Sequence, residues 1–306
     1  MGVGKRADPS PAATAGGLAA LVIWSTTVAV ARSMAESLGV LTGAALATGA
    51  GGAAALVFSW LRGRPPKAML ALPPKYLLGC GGLFVVYEVC LFAGLGWAPN
   101  RSATLVVGLL NYLWPVLTVL LSIPILERRA RWPAAVGCLL AVAGTAAAVL
   151  RGQQVPWQRL AQGGPALIGP LLLGAAAGVT WALYSNLVKR WGRPEGGAVP
   201  LFLLASGAAL GLLRLARGET TTWTAKAAGE LCLIAVAQSA LAYPLWEAGM
   251  RRGRHLLLSL ASYFVPVASL SIAAAYLWVR PGAGLIVGCV LVTGGAVICK
   301  YSVADE

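Results

Sequence analysis

The sequence predicts an all-α, polytopic membrane protein: ten transmembrane helices in two inverted five-helix repeats. Three observations carry this expectation. The chain is 58% hydrophobic and only 11% charged, with a mean hydropathy of +0.76, so it lacks the charged surface that a soluble protein of 306 residues needs. Its apolar stretches match a hydrocarbon core about 30 Å thick, which takes about 20 helical residues to cross. Residues 101–148 also align without a gap on residues 252–299. Tyr112 and Pro115 fall on Tyr263 and Pro266, and Gly137, Cys138 and Gly144 fall on Gly288, Cys289 and Gly295. Internal repeats in an apolar chain are characteristic of carriers whose two halves meet at a midplane site.

The spans follow in order. A polar, proline-bearing tail (1–14) precedes 15–34, which is long enough to remain as an anchor rather than a cleaved leader. Span 39–61 is rich in glycine and alanine and stops at Arg62 and Arg64. Span 76–97 starts after Lys75 and ends in the turn Trp97-Ala98-Pro99-Asn100-Arg101, whose Pro99 and Asn100 are turn formers. Span 102–125 runs to the basic cluster Arg128, Arg129 and Arg131, and 132–150 completes the first repeat. A polar junction, 151–165, is expected outside. The second repeat reads 166–187, 198–214 (short, ending at Arg214), 229–250, 255–278 and 283–300, followed by a tail at 301–306. Repeat one therefore covers 15–150 and repeat two 166–300. Because each holds five crossings, an odd number, the second enters from the opposite side, and a pseudo-two-fold axis in the membrane plane relates them. Trp24 with Trp181, and Arg32 with Lys189, extend the match to helices one and six.

Charge sets the orientation. With the N-terminus inside, 16 of the 24 basic residues face the cytoplasm, among them Arg62, Arg128, Lys189, Arg193, Arg252 and Lys300. Both termini are then cytoplasmic. The net charge of +14 does not point to nucleic acid, because the bases sit in short clusters between apolar stretches rather than on one basic face. The six cysteines fall inside expected helices without CxxC or Cys/His spacing, and His255 is the only histidine. They read as packing residues, with no metal, disulfide or cofactor expected.

The clearest polar faces lie on helices four and nine. Gly108, Asn111, Pro115 and Thr118 share one side of a helix, and their mates Ser259, Ser262, Pro266 and Ser269 are again small or polar. Two such stripes facing each other line a cavity near the bilayer centre. Each proline also frees a carbonyl one turn earlier, which is tolerated at depth where it faces protein or water. Glu88 lies 13 positions beyond Lys75, about 20 Å along a helix, where a carboxylate costs about 3 kcal/mol or more. Proton coupling, contact with a substrate ammonium, and a structural hydrogen bond to Tyr87 or Asn111 are its open roles. Its mate is Ser239, so the halves differ at this point, as recognition of an asymmetric ligand requires. Trp24, Tyr87, Tyr112, Trp181, Tyr184, Tyr243 and Tyr263 fall within spans and offer a surface for a flat apolar group or an amine. Trp60, Trp97, Trp132, Trp157, Trp191, Trp223 and Trp278 lie near span ends and read as interfacial belt. Arg32 and Glu247, near helix ends, read as anchors or snorkelling pairs. The glycines of helices two and five read as close-packing scaffold.

These features resemble the drug/metabolite transporter superfamily, in its ten-helix EamA-type branch. The marks are the five-plus-five repeat, a proline in helices four and nine, and Leu126-Glu127 at the edge of helix four. Two strings, Tyr87-Glu88-Val89-Cys90-Leu91 and Asn111-Tyr112-Leu113-Trp114-Pro115-Val116-Leu117-Thr118, are similar to the YddG-type aromatic amino acid exporters. The resemblance implies export of aromatic amino acids, or of methionine, threonine and other small amino compounds, from a bacterial inner membrane. Export of multidrug or quaternary cations is the alternative within the superfamily. Helix nine departs from many relatives by ending in Leu277-Trp278-Val279-Arg280, without an acid. An intramembrane serine enzyme is the reading from another class; it would need a base at the depth of its nucleophile, yet His255 sits beside Arg254 at a membrane edge and no GxSxG string occurs.

Overall fold

The computed structural model describes residues 10–129, 131–151, 164–193 and 197–302, and every regular element among them is helical. Up to residue 151 the helices are α1 (Pro11–Trp24), α2 (Thr27–Leu38), α3 (Val40–Leu61), a short α4 (Pro66–Leu70), α5 (Lys75–Gly96, π-helical over Lys75–Cys80), α6 (Arg101–Asn111), α7 (Trp114–Leu126) and α8 (Pro133–Arg151). From residue 164 they are α9 (Gly164–Trp191), α10 (Val199–Arg217), α11, α12 (His255–Ser262), α13 (Val265–Tyr276) and α14 (Ala283–Ser302). The α11 helix is continuous through Ala225–Cys232, a π-helical Leu233–Ala242 and Tyr243–Arg252.

Seven helices are long and apolar enough to cross a bilayer, and the pair α1 and α2, bent by 44°, counts as an eighth. Two shorter apolar helices, Pro133–Ala147 and Val265–Tyr276, lie where the fifth and ninth spans are expected. The chain is thus an all-helical, multi-pass membrane protein. The first helix begins at Pro11, inside the stretch read as a tail, because Ser10 caps it: its hydroxyl accepts from Ala13 N and proline suits the first helical position. Most of the expected junction, 152–163, lies outside the described residues.

The turns follow local chemistry. Gly39 alone separates α2 from α3, at φ +85°, a conformation that side-chain-bearing residues rarely adopt. The exposed N–H groups at the start of α3 are taken by the Glu219 carboxylate, at 3.0 Å from Leu41 N and 2.9 Å from Thr42 N. Asn100 caps α6 through Ala103 N at 2.8 Å.

Two features obey the offset of the aligned segments. The helix breaks at Tyr112–Leu113 and at Tyr263–Phe264, and Leu113 N donates to Leu110 O just as Phe264 N donates to Ala261 O, both at 3.1 Å. Pro115 and Pro266 follow each break and lack an N–H, so neither donates the backbone hydrogen bond that would continue the helix across it. The crossing of α8 and α14 is the second. A Cβ on Gly137 would lie 2.5 Å from Gly295 O, and one on Gly144 would lie 2.7 Å from Gly288 O. Exchanging each glycine for its aligned mate turns the first contact into the second. These glycines are close-packed backbone, the arrangement small residues permit in lipid.

Candidate functional site

The broken helix α6–α7, the long α9, and α11 enclose a cavity of about 700 Å³. Trp114, Pro115 and Thr118 line it from α7, Trp181 and Tyr184 from α9, Tyr243 and Trp246 from α11, and Ser262 and Tyr263 from the α12–α13 break. At one end the lining becomes basic: Arg128, Lys189, Arg193, Arg252 and Lys300, with Glu247 the one acid of that lining among the described residues. Lys189, Arg193 and Arg252 are solvent-exposed, so this end is the mouth.

Beyond the cavity lies a smaller chamber of about 50 Å³, bounded by Trp24, Tyr87, Glu88, Asn111, Tyr112, Gln238 and Ser239. Trp114, Trp181 and Tyr243 line both spaces and form the wall between them. The wall belongs to a continuous aromatic cluster. Tyr87 and Trp181 are 4.6 Å apart, Trp24 and Tyr243 5.0 Å, and Trp181 and Tyr184 5.2 Å between ring centroids, the separations at which tilted rings attract.

Glu88 is 1% exposed. The sequence offered Tyr87 or Asn111 as its partner. In the structure the hydroxyl of Tyr243 donates to Glu88 Oε1 at 2.5 Å, across 155 positions of sequence. Asn111 Oδ1 instead is buried with no hydrogen-bond partner. Gln238, on the π-helical stretch of α11, meets the break between α1 and α2: its Nε2 donates to Thr26 Oγ1 at 2.9 Å, and its Oε1 accepts from Thr27 Oγ1 at 3.2 Å. Trp24 Nε1 donates to Gln238 O at 3.4 Å. Asn186 ties α9 to α7 through Thr118 O at 3.0 Å.

Of the residues singled out in the sequence, Pro115, Thr118, Tyr184, Ser262 and Tyr263 line the large cavity, and Trp24, Tyr87, Glu88, Asn111, Tyr112 and Ser239 the small one. Trp181 and Tyr243 belong to both. Three line neither space: Gly108, Pro266 and Ser269. Gly108 packs on α2, where a Cβ would meet Val28 at 2.9 Å, and Pro266 is buried within α13. Ser269 is fully buried in the same helix as Pro266, and all three are helix-packing positions. The Ser259 side chain lies outside the described residues. Sequence reading missed Trp114, Trp246 and Gln238. Trp246 was accessible to it, since it sits three positions after Tyr243 and so on the same helical face. Glu247 proves to line the mouth.

The opposite end is closed by a clasp. Glu36 pairs with Arg32 (2.9 Å) and with Arg101 through both carboxylate oxygens (3.0 and 2.6 Å). Arg101 Nη1 also donates to Leu277 O at 3.1 Å, and Arg32 Nη1 to Ala98 O at 2.6 Å. Arg32, read as an anchor or paired residue near a helix end, is held by Glu36 and by backbone carbonyls of the α5–α6 turn. Planar guanidinium groups suit this, since each engages several acceptors in a fixed fork. The clasp joins α2, the α5–α6 turn, α6 and the end of α13. Glu36→Ala removes the shared acceptor and is expected to loosen this end. Ala98, 4% exposed, reports on it: with Ala98→Cys in a background free of other cysteines, maleimide labelling should quicken about tenfold when Glu36→Ala is added. Equal rates would mean that apolar packing, not the clasp, keeps this end shut.

Comparison with known proteins agrees with this architecture. The EamA-like transporter family model matches residues 12–150. The chain is 30% identical to the aromatic amino acid exporter YddG of Salmonella typhimurium (strain 14028s / SGSC 2262), over 95% of this chain and 97% of that protein. It is 29% identical to YddG of Escherichia coli (strain K12), over 94% and 96%. It is 31% identical to YddG of Ancylobacter novellus (strain ATCC 8093), again over 94% and 96%. A solved crystal structure at 29% identity superposes with a TM-score of 0.69, covering 94% of this chain and 97% of the other. The chain therefore belongs to the YddG family of EamA-like transporters.

Proposed function

We propose that this protein exports aromatic amino acids across a bacterial inner membrane by alternating access, crossing the bilayer ten times with both termini in the cytoplasm. It is a carrier rather than an enzyme. The observation that carries the reading is the aromatic cavity: about 700 Å³, within the range of about 300–1,000 Å³ usual for small-molecule sites, walled by Trp114, Trp181, Tyr184, Tyr243, Trp246 and Tyr263. Such a wall offers ring stacking and apolar area to an indole or phenyl group. The family relationship to exporters supports the same conclusion.

Under the positive-inside rule the basic mouth faces the cytoplasm, so this conformation is open to the compartment from which an exporter loads. The cluster of Lys189, Arg193 and Arg252 attracts a carboxylate and repels a bare cation. That favours zwitterionic amino acids over quaternary cations, the alternative within the superfamily. Opening of the Glu36 clasp, with closure of the mouth around the breaks at Tyr112 and Tyr263, completes the cycle.

Counterflow in proteoliposomes tests the choice. Vesicles preloaded with unlabelled L-tryptophan should accumulate labelled L-tryptophan, with competition by phenylalanine and tyrosine and weaker competition by methionine and threonine. Tetraphenylphosphonium should compete poorly. Strong inhibition by that cation, with none by phenylalanine or tyrosine, would reverse the assignment.

A further inference from the structure

We propose that the small inner chamber is a subsite for a primary ammonium group, so that ligands are read by their amine and decarboxylated aromatic amines occupy the same site as aromatic amino acids. This rests on the exporter reading above and specifies how its ligand is held.

The lining has the chemistry of an ammonium site. Glu88 supplies a carboxylate at 1% exposure, with one oxygen held by Tyr243. Asn111, 5% exposed, has a side-chain oxygen with no partner at all. Leaving a buried acceptor unpaired is unfavourable, and the imbalance is relieved by a group that only donates. An ammonium carries three donors and no acceptor. The rings of Trp24, Tyr87, Trp181 and Tyr243 line the same space, and aromatic rings attract a cation. None of the residues lining the chamber is lysine, arginine or histidine, so a carboxylate would find no counter-charge there.

Size is compatible with the assignment. The chamber measures about 50 Å³, more than one water molecule needs. A primary ammonium, close to water in size, fits. The ligand's ring then extends past the shared wall of Trp114, Trp181 and Tyr243 into the large cavity, with a carboxylate, when present, left toward the basic mouth. Tryptamine keeps the contacts in the chamber, loses the attraction of its carboxylate at the mouth and, as a cation, is repelled there. It should bind more slowly than tryptophan, and its association should gain nothing from low salt.

Displacement of labelled L-tryptophan from the full chain in lipid nanodiscs is the test, with tryptamine, N-acetyl-L-tryptophan and indole-3-propionate as probes. Tryptamine should displace within about tenfold of tryptophan itself. The other two, which lack the ammonium, should be weaker by at least about thirtyfold. Glu88→Gln should narrow the gap between tryptophan and indole-3-propionate by about tenfold. Asn111→Leu, which leaves the Glu88–Tyr243 bond in place, should narrow it too. Equal binding of indole-3-propionate and tryptophan to the unmodified chain overturns the chamber assignment and leaves the exporter reading standing. Binding of none of the four compounds overturns both.

Discussion

Trp181→Ala is expected to have the largest effect of any single cavity substitution, removing transport and about 3–5 kcal/mol of stability. Trp181 is 4% exposed and packs by its ring against Trp24, Phe84, Tyr87, Trp114, Tyr184 and Tyr243. Truncation deletes the centre of this cluster and opens the cavity into the chamber holding Glu88 and Asn111. Bilayer and neighbouring helices limit collapse into the gap, so the cost should lie toward the upper part of that range. Trp181→Phe keeps a ring at the centre and should retain folding and a reduced rate. Thermal unfolding in detergent, paired with tryptophan counterflow, separates the two losses. Normal transport by a folded Trp181→Ala variant would remove the aromatic wall from the account.

A second large effect is expected at the crossing of α8 and α14, where adjacent glycines should respond with opposite sign. A Cβ on Gly295 would strike the Gly137 carbonyl and lie 2.9 Å from Ala141 N, both backbone atoms that cannot rotate away. Gly295→Ala must therefore separate the helices, an overpacking cost of about 1–3 kcal/mol, and the separation also loosens Gly144 against Gly288. Gly294, one position earlier, meets nothing within 4 Å. Gly294→Ala should be neutral or stabilising by up to about 1 kcal/mol, from helix propensity alone. Unfolding midpoints of the two variants should fall on opposite sides of the unmodified protein. Equal midpoints would mean that α8 and α14 are not packed backbone to backbone.

Much of this architecture is legible in the sequence because membrane helices must satisfy their backbone internally, so length and apolarity reveal them. The backbone hydrogen bonds lost at Pro115 and Pro266 were legible too, but the breaks just before them were not, since 102–125 and 255–278 each read as one span. Asn111, Tyr112, Ser262 and Tyr263 at the breaks lie at the cavities together with Pro115 and Thr118, whereas Gly108 and Pro266 sit in helix packing. Long-range pairing was not legible. Nothing near Glu88 in sequence announces Tyr243, and nothing near Arg101 announces Glu36 or the carbonyl of Leu277. The bend between α1 and α2 falls at Ser25-Thr26-Thr27, where Ser25 Oγ and Thr26 Oγ1 bond back to the carbonyls of Leu21 and Ile23; the docking of Gln238 there from another helix was not legible. Trp114 escaped because its neighbour Pro115 drew the functional reading, although the ring itself faces both spaces.

The most direct test of the central claim is the initial rate of labelled L-tryptophan efflux from bacterial cells expressing this chain, measured beside cells expressing Trp181→Phe at equal membrane abundance. The account predicts saturable efflux well above that of control cells, slowed by phenylalanine and tyrosine, unaffected by lysine or aspartate, and reduced but present in Trp181→Phe. Efflux no faster than in control cells, with the unmodified protein folded in the membrane, would contradict it.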